Sequence, residues 1–525
     1  MSAGTDPTRA LLDHAVPLAE RGDLAGLRRL LDGIPAAPER LARHLIETSY
    51  AEALAGRYRA SRTAALLTFT LDPRDVDVRR QLAARLRTTN DVPQLLKLIR
   101  ASGPLARIPI PLLLGYAAQL SYLNMQQQAL EYLDEARRGD PDYPPTLLSR
   151  GQVLTYLGRT DAARAEFERC IAIAPQLGQA HWFLSHVRRA TPTDNRIARL
   201  RDALARASLP AQEEASLAFA LHKELDDLGE VEGAWQALLR ACAAKRSTLR
   251  YSLEETRRLV DALVSMPPLA PSRAGADDGR VPVFIVGMHR SGTTLLEQLL
   301  DASPQVQGIG EMYDFTCAMR HATDHPCRGV IDRTLVERAA SADFSAVGRR
   351  YLDGLAWRLD ARPFFTDKLP TNFLNLGFIC AALPQARILH LRRDPMETCF
   401  SNLRELFSDA NAHSYDQVEL ADYCLQYQRL MAHWHDRHPG RILDVDYAQL
   451  TADTAGTVRQ VAAFCGIDYL DEMSDPRSSR RAVATASAVQ VRDGVVRRET
   501  PKWVPYAPWL GPLADALARG GAAGV

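Results

Sequence analysis

From about residue 5 to residue 245 the chain reads as short paired helices whose apolar and small positions recur in phase. The pattern repeats. Gly22, Gly56, Asn90, Asn124 and Gly158 lie 34 residues apart without a slip. Only glycine and asparagine occupy this position, and these residues enter the left-handed backbone region at least cost. The spacing therefore predicts a tight turn between two short antiparallel helices in each repeat. Pro73, Pro141 and Pro175 each follow a member of this series by 17 residues, where a proline stops the second helix. Tyr122-Leu123 and Tyr156-Leu157 precede the turns, Ala129 and Ala163 follow them, and Leu133 and Phe167 keep the same phase. After Pro175 the phase slips, then resumes with Asn195 and Gly229 ahead of a helix over 232–244.

A helical-hairpin period of 34 residues resembles the tetratricopeptide repeat, although its full consensus is only partly met. The resemblance implies stacked helix pairs with a concave surface that binds a protein or peptide, or a structural extension that shapes or pairs copies of the chain. The array is assigned to residues 1–248 and a connecting helix and linker to 249–280, the stretch Met266–Gly279 being rich in proline, glycine and small polar residues. From Val281 the pattern changes. Short apolar runs at 281–286, 387–391 and 441–445 alternate with helical spacing, and another strand is expected to end just before Gly310. Such runs predict a parallel sheet covered on both faces. The fold class expected is thus an all-helical repeat solenoid followed by a P-loop-type α/β domain over 281–525.

Composition narrows the function classes. Of 525 residues, 46% are hydrophobic and 24% charged, and 64 basic residues against 63 acidic ones leave a formal charge of +1. This balance argues against nucleic-acid binding through bulk charge. No run reaches the roughly 18 apolar residues of a membrane span, and the N-terminus lacks the pattern of a secretory signal. Eight cysteines with no Cys-x-x-Cys pair read as reduced, buried thiols, which together with the missing signal points to the cytoplasm.

The sharpest chemistry lies in VPVFIVGMHRSGTTLLEQLL. A strand runs into Gly287, a turn passes through Met288, His289, Arg290, Ser291 and Gly292, and a helix opens at Thr293-Thr294. Free amides at a helix N-terminus beside a glycine turn form an anion cradle. The two glycines are spaced as in a Walker A loop, but Thr293 stands where that loop carries its lysine. A triphosphatase or kinase depends on that lysine, so the cradle is expected to serve another phosphate ester, with Arg290 as its cation.

The residues Arg290–Thr294, Leu300–Val306 and Gly310-Glu311 closely resemble the 5′-phosphosulfate loop region of sulfotransferases, nearest to the tyrosylprotein sulfotransferases. The segment 365–372 (FTDKLPTN) resembles that family's lysine-bearing strand end, and 390–395 (HLRRDP) with Ser401 resembles its 3′-phosphate clamp. The resemblance covers about residues 281–512 and implies 3′-phosphoadenosine 5′-phosphosulfate as cosubstrate. It implies that Arg290, Ser291, Gly292, Thr293 and Thr294 hold the 5′-phosphosulfate end, and that Arg393 and Ser401 hold the 3′-phosphate. Lys368 would polarise the leaving oxygen, Arg290 would steady the transferring group, and Glu311 would be the base. Arg492 is assigned to the cofactor and Ser487 to the substrate by a looser match. No metal is required by this chemistry. His433, His435 and His438 do not share one helix face and read as a solvated helix end, and His289 reads as a loop filler. The acceptor expected is a protein, a peptide or a small molecule, with a tyrosine hydroxyl favoured by analogy. Two other readings stay open: a repeat scaffold with an inactive sulfotransferase domain, and a P-loop kinase.

Overall fold

The computed structural model describes residues 7–206, 208–272, 279–479, 494–495 and 500–521. They gather into two compact units. Of the described residues, the first holds 7–141, 271–272 and Tyr313–Leu359, and the second holds Asp142–Ala270, 279–312 and those from Asp360 onward.

The first unit is helical, and its hairpins turn where the glycine and asparagine series lies. Helix Pro7–Glu20 is followed by Leu24–Leu31, Pro38–Leu54 by Tyr58–Thr70, Val76–Thr88 by Val92–Arg100, and Ile110–Tyr122 by Gln126–Gly139. At the turns φ is +69° at Gly22, +77° at Gly56, +61° at Asn90 and +59° at Asn124. One asparagine does more than turn the chain. Asn90 Nδ2 donates to Asp314 Oδ1 at 2.8 Å, and the absent Cβ of Gly354 would lie 2.8 Å from that amide nitrogen. A side chain at 354 would push the pair apart.

Asp314 is 2% exposed, and burial pushes its carboxyl up to about 6 against the opposing hydrogen bond from Asn90. The folded state therefore binds more protons than the unfolded chain between about pH 4 and pH 6. Stability present below this window is lost as the pH rises through it, on the order of 2–3 kcal/mol if the full shift is expressed. Asp314→Asn keeps an oxygen for Asn90 and removes the buried charge. In melting experiments the variant should match the parent near pH 4 and exceed its midpoint by a few degrees at pH 7; equal midpoints throughout would contradict this reading of Asp314.

The second unit begins with two more hairpins. Helices Pro144–Tyr156 and Thr160–Ile173 turn at Gly158 (φ +77°), and Ala211–Leu228 and Val231–Ser247 turn at Gly229 (φ +77°). Gly151 lets the buried Phe167 ring lie so close that a Cβ there would meet it at 2.4 Å. Asn195 departs from the expected series. It does not take a left-handed turn; its side-chain amide donates to the carbonyls of Thr191 and Pro192, both at 3.1 Å.

The rest of the unit is an α/β layer. Strands β1 (Val281–Val286), β2 (Val306–Gly308), β3 (Phe364–Asp367), β4 (Arg387–Arg392) and β5 (Ile442–Asp446) form one parallel sheet in the order β2-β3-β1-β4-β5. The expected runs are all strands. One face packs Val283, Ile285 and Leu389 on Leu296, Leu299 and Leu300 of helix Thr293–Asp301 and on Val458 and Val461 of helix Thr454–Cys465. From β1 the chain moves to one side for β2 and β3, then to the other for β4 and β5. The order reverses at β1 and β4, and the crevice beyond their carboxyl ends is where open α/β sheets bind ligands. All eight cysteines are buried thiols. Among the described residues, no helix is long and apolar enough to cross a membrane.

Candidate active site

The loop after β1 is held open by backbone geometry. Gly287 has φ +154°, Arg290 +66° and Gly292 +106°. A Cβ on Gly287 would meet the Leu391 carbonyl at 2.8 Å, and one on Gly292 would strike the Tyr447 ring at 2.4 Å. Helix Thr293–Asp301 opens on Gly292, so its first amides have no intrahelical acceptor and face the loop. Ser291 is 2% exposed and its Oγ has no hydrogen-bond partner within the protein. A buried donor of this kind suits a bound oxyanion, and the cradle fits a phosphate.

Arg290 extends toward Glu405, 3.7 Å away across an ion pair. Burial pushes the Glu405 carboxyl up, with Arg290 opposing. Arg393, just past β4, donates from Nη1 to the Arg290 carbonyl at 3.1 Å and from Nε to Glu397 at 3.0 Å, with its guanidinium 4.4 Å from the centre of the Tyr447 ring. It thus braces the left-handed residue of the loop. Ser401, on helix Pro395–Leu403, lines a cavity of about 620 Å³ together with Arg290, Arg404 and Glu405. The same cavity is lined by Arg189 and Lys223 from the helical part of this unit. Arg404 pairs with Asp226, whose other oxygen accepts from Tyr506 Oη at 2.7 Å.

Lys368 and Glu311 meet directly. Lys368 Nζ lies 2.6 Å from Glu311 Oε1, with the lysine side chain 0% exposed and the glutamate 35%. Their meeting is arranged by Glu297, a buried acid on the helix that follows the loop. Glu297 Oε1 accepts from the Gly310 amide at 2.9 Å and from Thr366 Oγ1 at 3.0 Å, while Lys368 N donates to the Gly310 carbonyl at 3.0 Å. One carboxylate therefore ties the segment bearing Glu311 to the strand bearing Lys368. The positive φ of Gly310 (+81°) turns Glu311 out of the strand direction.

Two neighbours complete the electrostatics. His289 is pushed down to about 4, first by burial, with Glu311 opposing and Lys368 and Arg290 adding to the shift. It is neutral at physiological pH and shares the field of the Lys368–Glu311 pair, which its reading as a loop filler did not anticipate. Tyr156 takes a hydrogen bond from Gln152 at 2.8 Å, and its phenol is raised by burial and by Glu311.

The expected residues Arg290–Thr294, Glu311 and Lys368 thus lie on the loop, on the segment after β2 and at the end of β3. Arg393 touches the loop backbone, and Ser401 faces the cavity. Ser487 and Arg492 lie outside the described residues, and Arg477 pairs with Asp475 at the surface. Sequence reasoning missed Glu297, Glu405 and Asp444. His435 is not simply solvated, because its Nε2 lies 2.8 Å from Asp444 Oδ1. A charged residue on the inner face of an otherwise apolar helix was the only signal for Glu297.

An uncharacterized protein of Aquifex aeolicus (strain VF5) is 27% identical over 408 residues, 76% of this chain and 53% of that one, so this chain spans about half the length of that relative. The Caenorhabditis briggsae "Putative protein-tyrosine sulfotransferase" is 24% identical over 195 residues, 36% of this chain and 67% of its own. The crystal structure of sulfotransferase STF1 from Mycobacterium tuberculosis H37Rv overlays with 14% identity and a TM-score of 0.28, over 66% of this chain and 98% of that one. Residues 282–472, which hold the phosphate loop, Glu311, Lys368, Arg393 and Ser401, match the model of the sulfotransferase family and form a sulfotransferase-family domain.

Proposed function

We propose that this chain moves a sulfonate group from 3′-phosphoadenosine 5′-phosphosulfate to an acceptor hydroxyl. The observation that carries the reading is the Lys368–Glu311 pair, 2.6 Å apart beside an anion cradle that lacks a Walker lysine. In the forward step the acceptor oxygen attacks sulfur, its proton passes to Glu311, and the bond from sulfur to the bridging oxygen breaks, releasing adenosine 3′,5′-bisphosphate. The amides and hydroxyls of Arg290–Thr294 hold the 5′-phosphate end. Lys368 neutralises charge on the departing oxygen, a preorganised contribution of the kind that dominates many active sites. Arg290 steadies the transferring group, and Arg393 and Ser401 serve the 3′-phosphate.

The acceptor we infer is a phenolic hydroxyl, as in a protein or peptide tyrosine. A glutamate in the base position and the name of the Caenorhabditis briggsae relative support this. In this reading the helical array of residues 1–248 is a tetratricopeptide-type array that presents the acceptor in the cytoplasm, and residues 281–525 carry the transfer site. The nearly even charge gives no support to nucleic-acid binding through bulk charge. Labelled phosphosulfate incubated with tyrosine peptides and simple phenols tests the proposal. Label on an acceptor in the parent and none in Glu311→Gln supports it; no transfer to any acceptor, with bisphosphate binding intact, moves the inactive scaffold to the front.

A further inference from the structure

The strand register brings a second polar cluster together, apart from the transfer site. His390 of β4 and Asp444 of β5 are cross-strand partners, and His435 reaches them from helix Gln417–Arg437. His390 Nδ1 lies 2.7 Å and His435 Nε2 2.8 Å from the same Asp444 oxygen, Oδ1, and the three donor atoms fall within 4.8 Å of one another. Two imidazoles and one carboxylate are the donor set that first-row divalent ions favour. Arg392 Nη1, at 3.1 Å, engages the other Asp444 oxygen, which leaves Oδ1 as the coordinating atom. His390 Nε2 is hydrogen-bonded to Tyr427 Oη, the outer-shell partner that fixes a ligating imidazole's tautomer and orientation. His435 and Asp444 are each about one-third exposed, so an ion has a path in and water can complete its shell.

We propose that His390, His435 and Asp444 form a divalent transition-metal site, with zinc the ion it would take. The two imidazole nitrogens draw back from Asp444 Oδ1 by roughly half an ångström or more to admit the ion at roughly 2.0–2.2 Å. With the ion on Nδ1, His390 Nε2 carries the ring proton and donates it to Tyr427. The Tyr427 hydroxyl also lies beside the backbone of Met288, so the site connects to the phosphate loop through a single side chain. An ion here braces that loop; it takes no part in the transfer chemistry.

Chelator-treated full-length protein should be titrated with Zn²⁺ by calorimetry and with Co²⁺ by visible absorption. One equivalent of each ion is expected, with a tetrahedral Co²⁺ spectrum that excess Zn²⁺ bleaches. His435→Ala and Asp444→Asn should each weaken binding at least ~10-fold, and Tyr427→Phe should cost ~10-fold through the outer shell. His433→Ala, on the same helix, should bind as the parent does. Circular dichroism and melting of each variant show whether it is folded, and His435→Ala, which alters a part-exposed side chain, is the variant on which the proposal rests. No binding at micromolar zinc, or equal binding by the parent and a folded His435→Ala, would overturn the site and leave an aspartate shared by two imidazoles. Neither result depends on the acceptor or on turnover, so the site can fail while the sulfotransferase reading stands.

Discussion

Replacing Lys368 with methionine should lower turnover by about 10²–10³-fold, the cost of removing one preorganised donor from a developing oxyanion, while leaving bisphosphate affinity essentially intact. The variant is well posed because Lys368 is wholly buried and its ammonium meets Glu311. Methionine fills the stem's volume and does not leave a charge stranded in the interior, since the remaining Glu311 is about one-third exposed and can be solvated. Folding should therefore survive, and an unchanged melting profile would show it. Arginine is not expected to rescue the loss. Its planar fork cannot occupy the space of a point-like ammonium held between β3 and the Gly310 segment. Turnover within a few-fold of the parent would remove Lys368 from the transition state.

Glu311→Gln should reduce kcat by about 10²–10⁴-fold, the usual contribution of a general base, without loss of cosubstrate binding. His289 does not offer an easy substitute. Burial holds it neutral at physiological pH, but its ring packs edge-on against Phe407 with centroids 5.6 Å apart. Because Lys368 and Glu311 are in direct contact, their losses should not add. The double variant Lys368→Met/Glu311→Gln is expected to fall little below the weaker single variant, as in catalytic groups that act as a unit. Strict additivity would mean that the 2.6 Å contact has no part in the chemistry.

Much of the fold, and the loop that begins the candidate site, was legible because the relevant residues answer to local rules. Gly22, Gly56, Asn90, Asn124, Gly158 and Gly229 turn the chain because the left-handed conformation admits few other residues, and the structure places all six there. Gly287 and Gly292 were visible for the same reason, and the strand and helix on either side of them carry strong apolar patterns. Asn195 misled because its side chain can cap carbonyls without turning the backbone. What stayed hidden depends on contacts distant in sequence. Glu297 reaches 13 residues forward to Gly310 and 69 forward to Thr366. The association of His390 with Asp444 needs the β4–β5 register, and that of His435 needs a helix to cross the same strands. Judged against one helix face alone, His435 looked solvated. The pairing of Arg393 with the Arg290 carbonyl was equally invisible, since a sequence shows which guanidinium is available but not which backbone oxygen it will find.

The central claim is that the loop from Gly287 to Thr294 holds the phosphate end of an adenosine phosphosulfate. Calorimetric titration with adenosine 3′,5′-bisphosphate tests it most directly, with ATP–magnesium and Arg393→Ala as controls. Saturable binding of the bisphosphate, much weaker binding of ATP–magnesium and a clear loss of affinity in Arg393→Ala are the results predicted here. No binding of the bisphosphate, or a preference for ATP–magnesium, would contradict the account and return the loop to the nucleoside triphosphates.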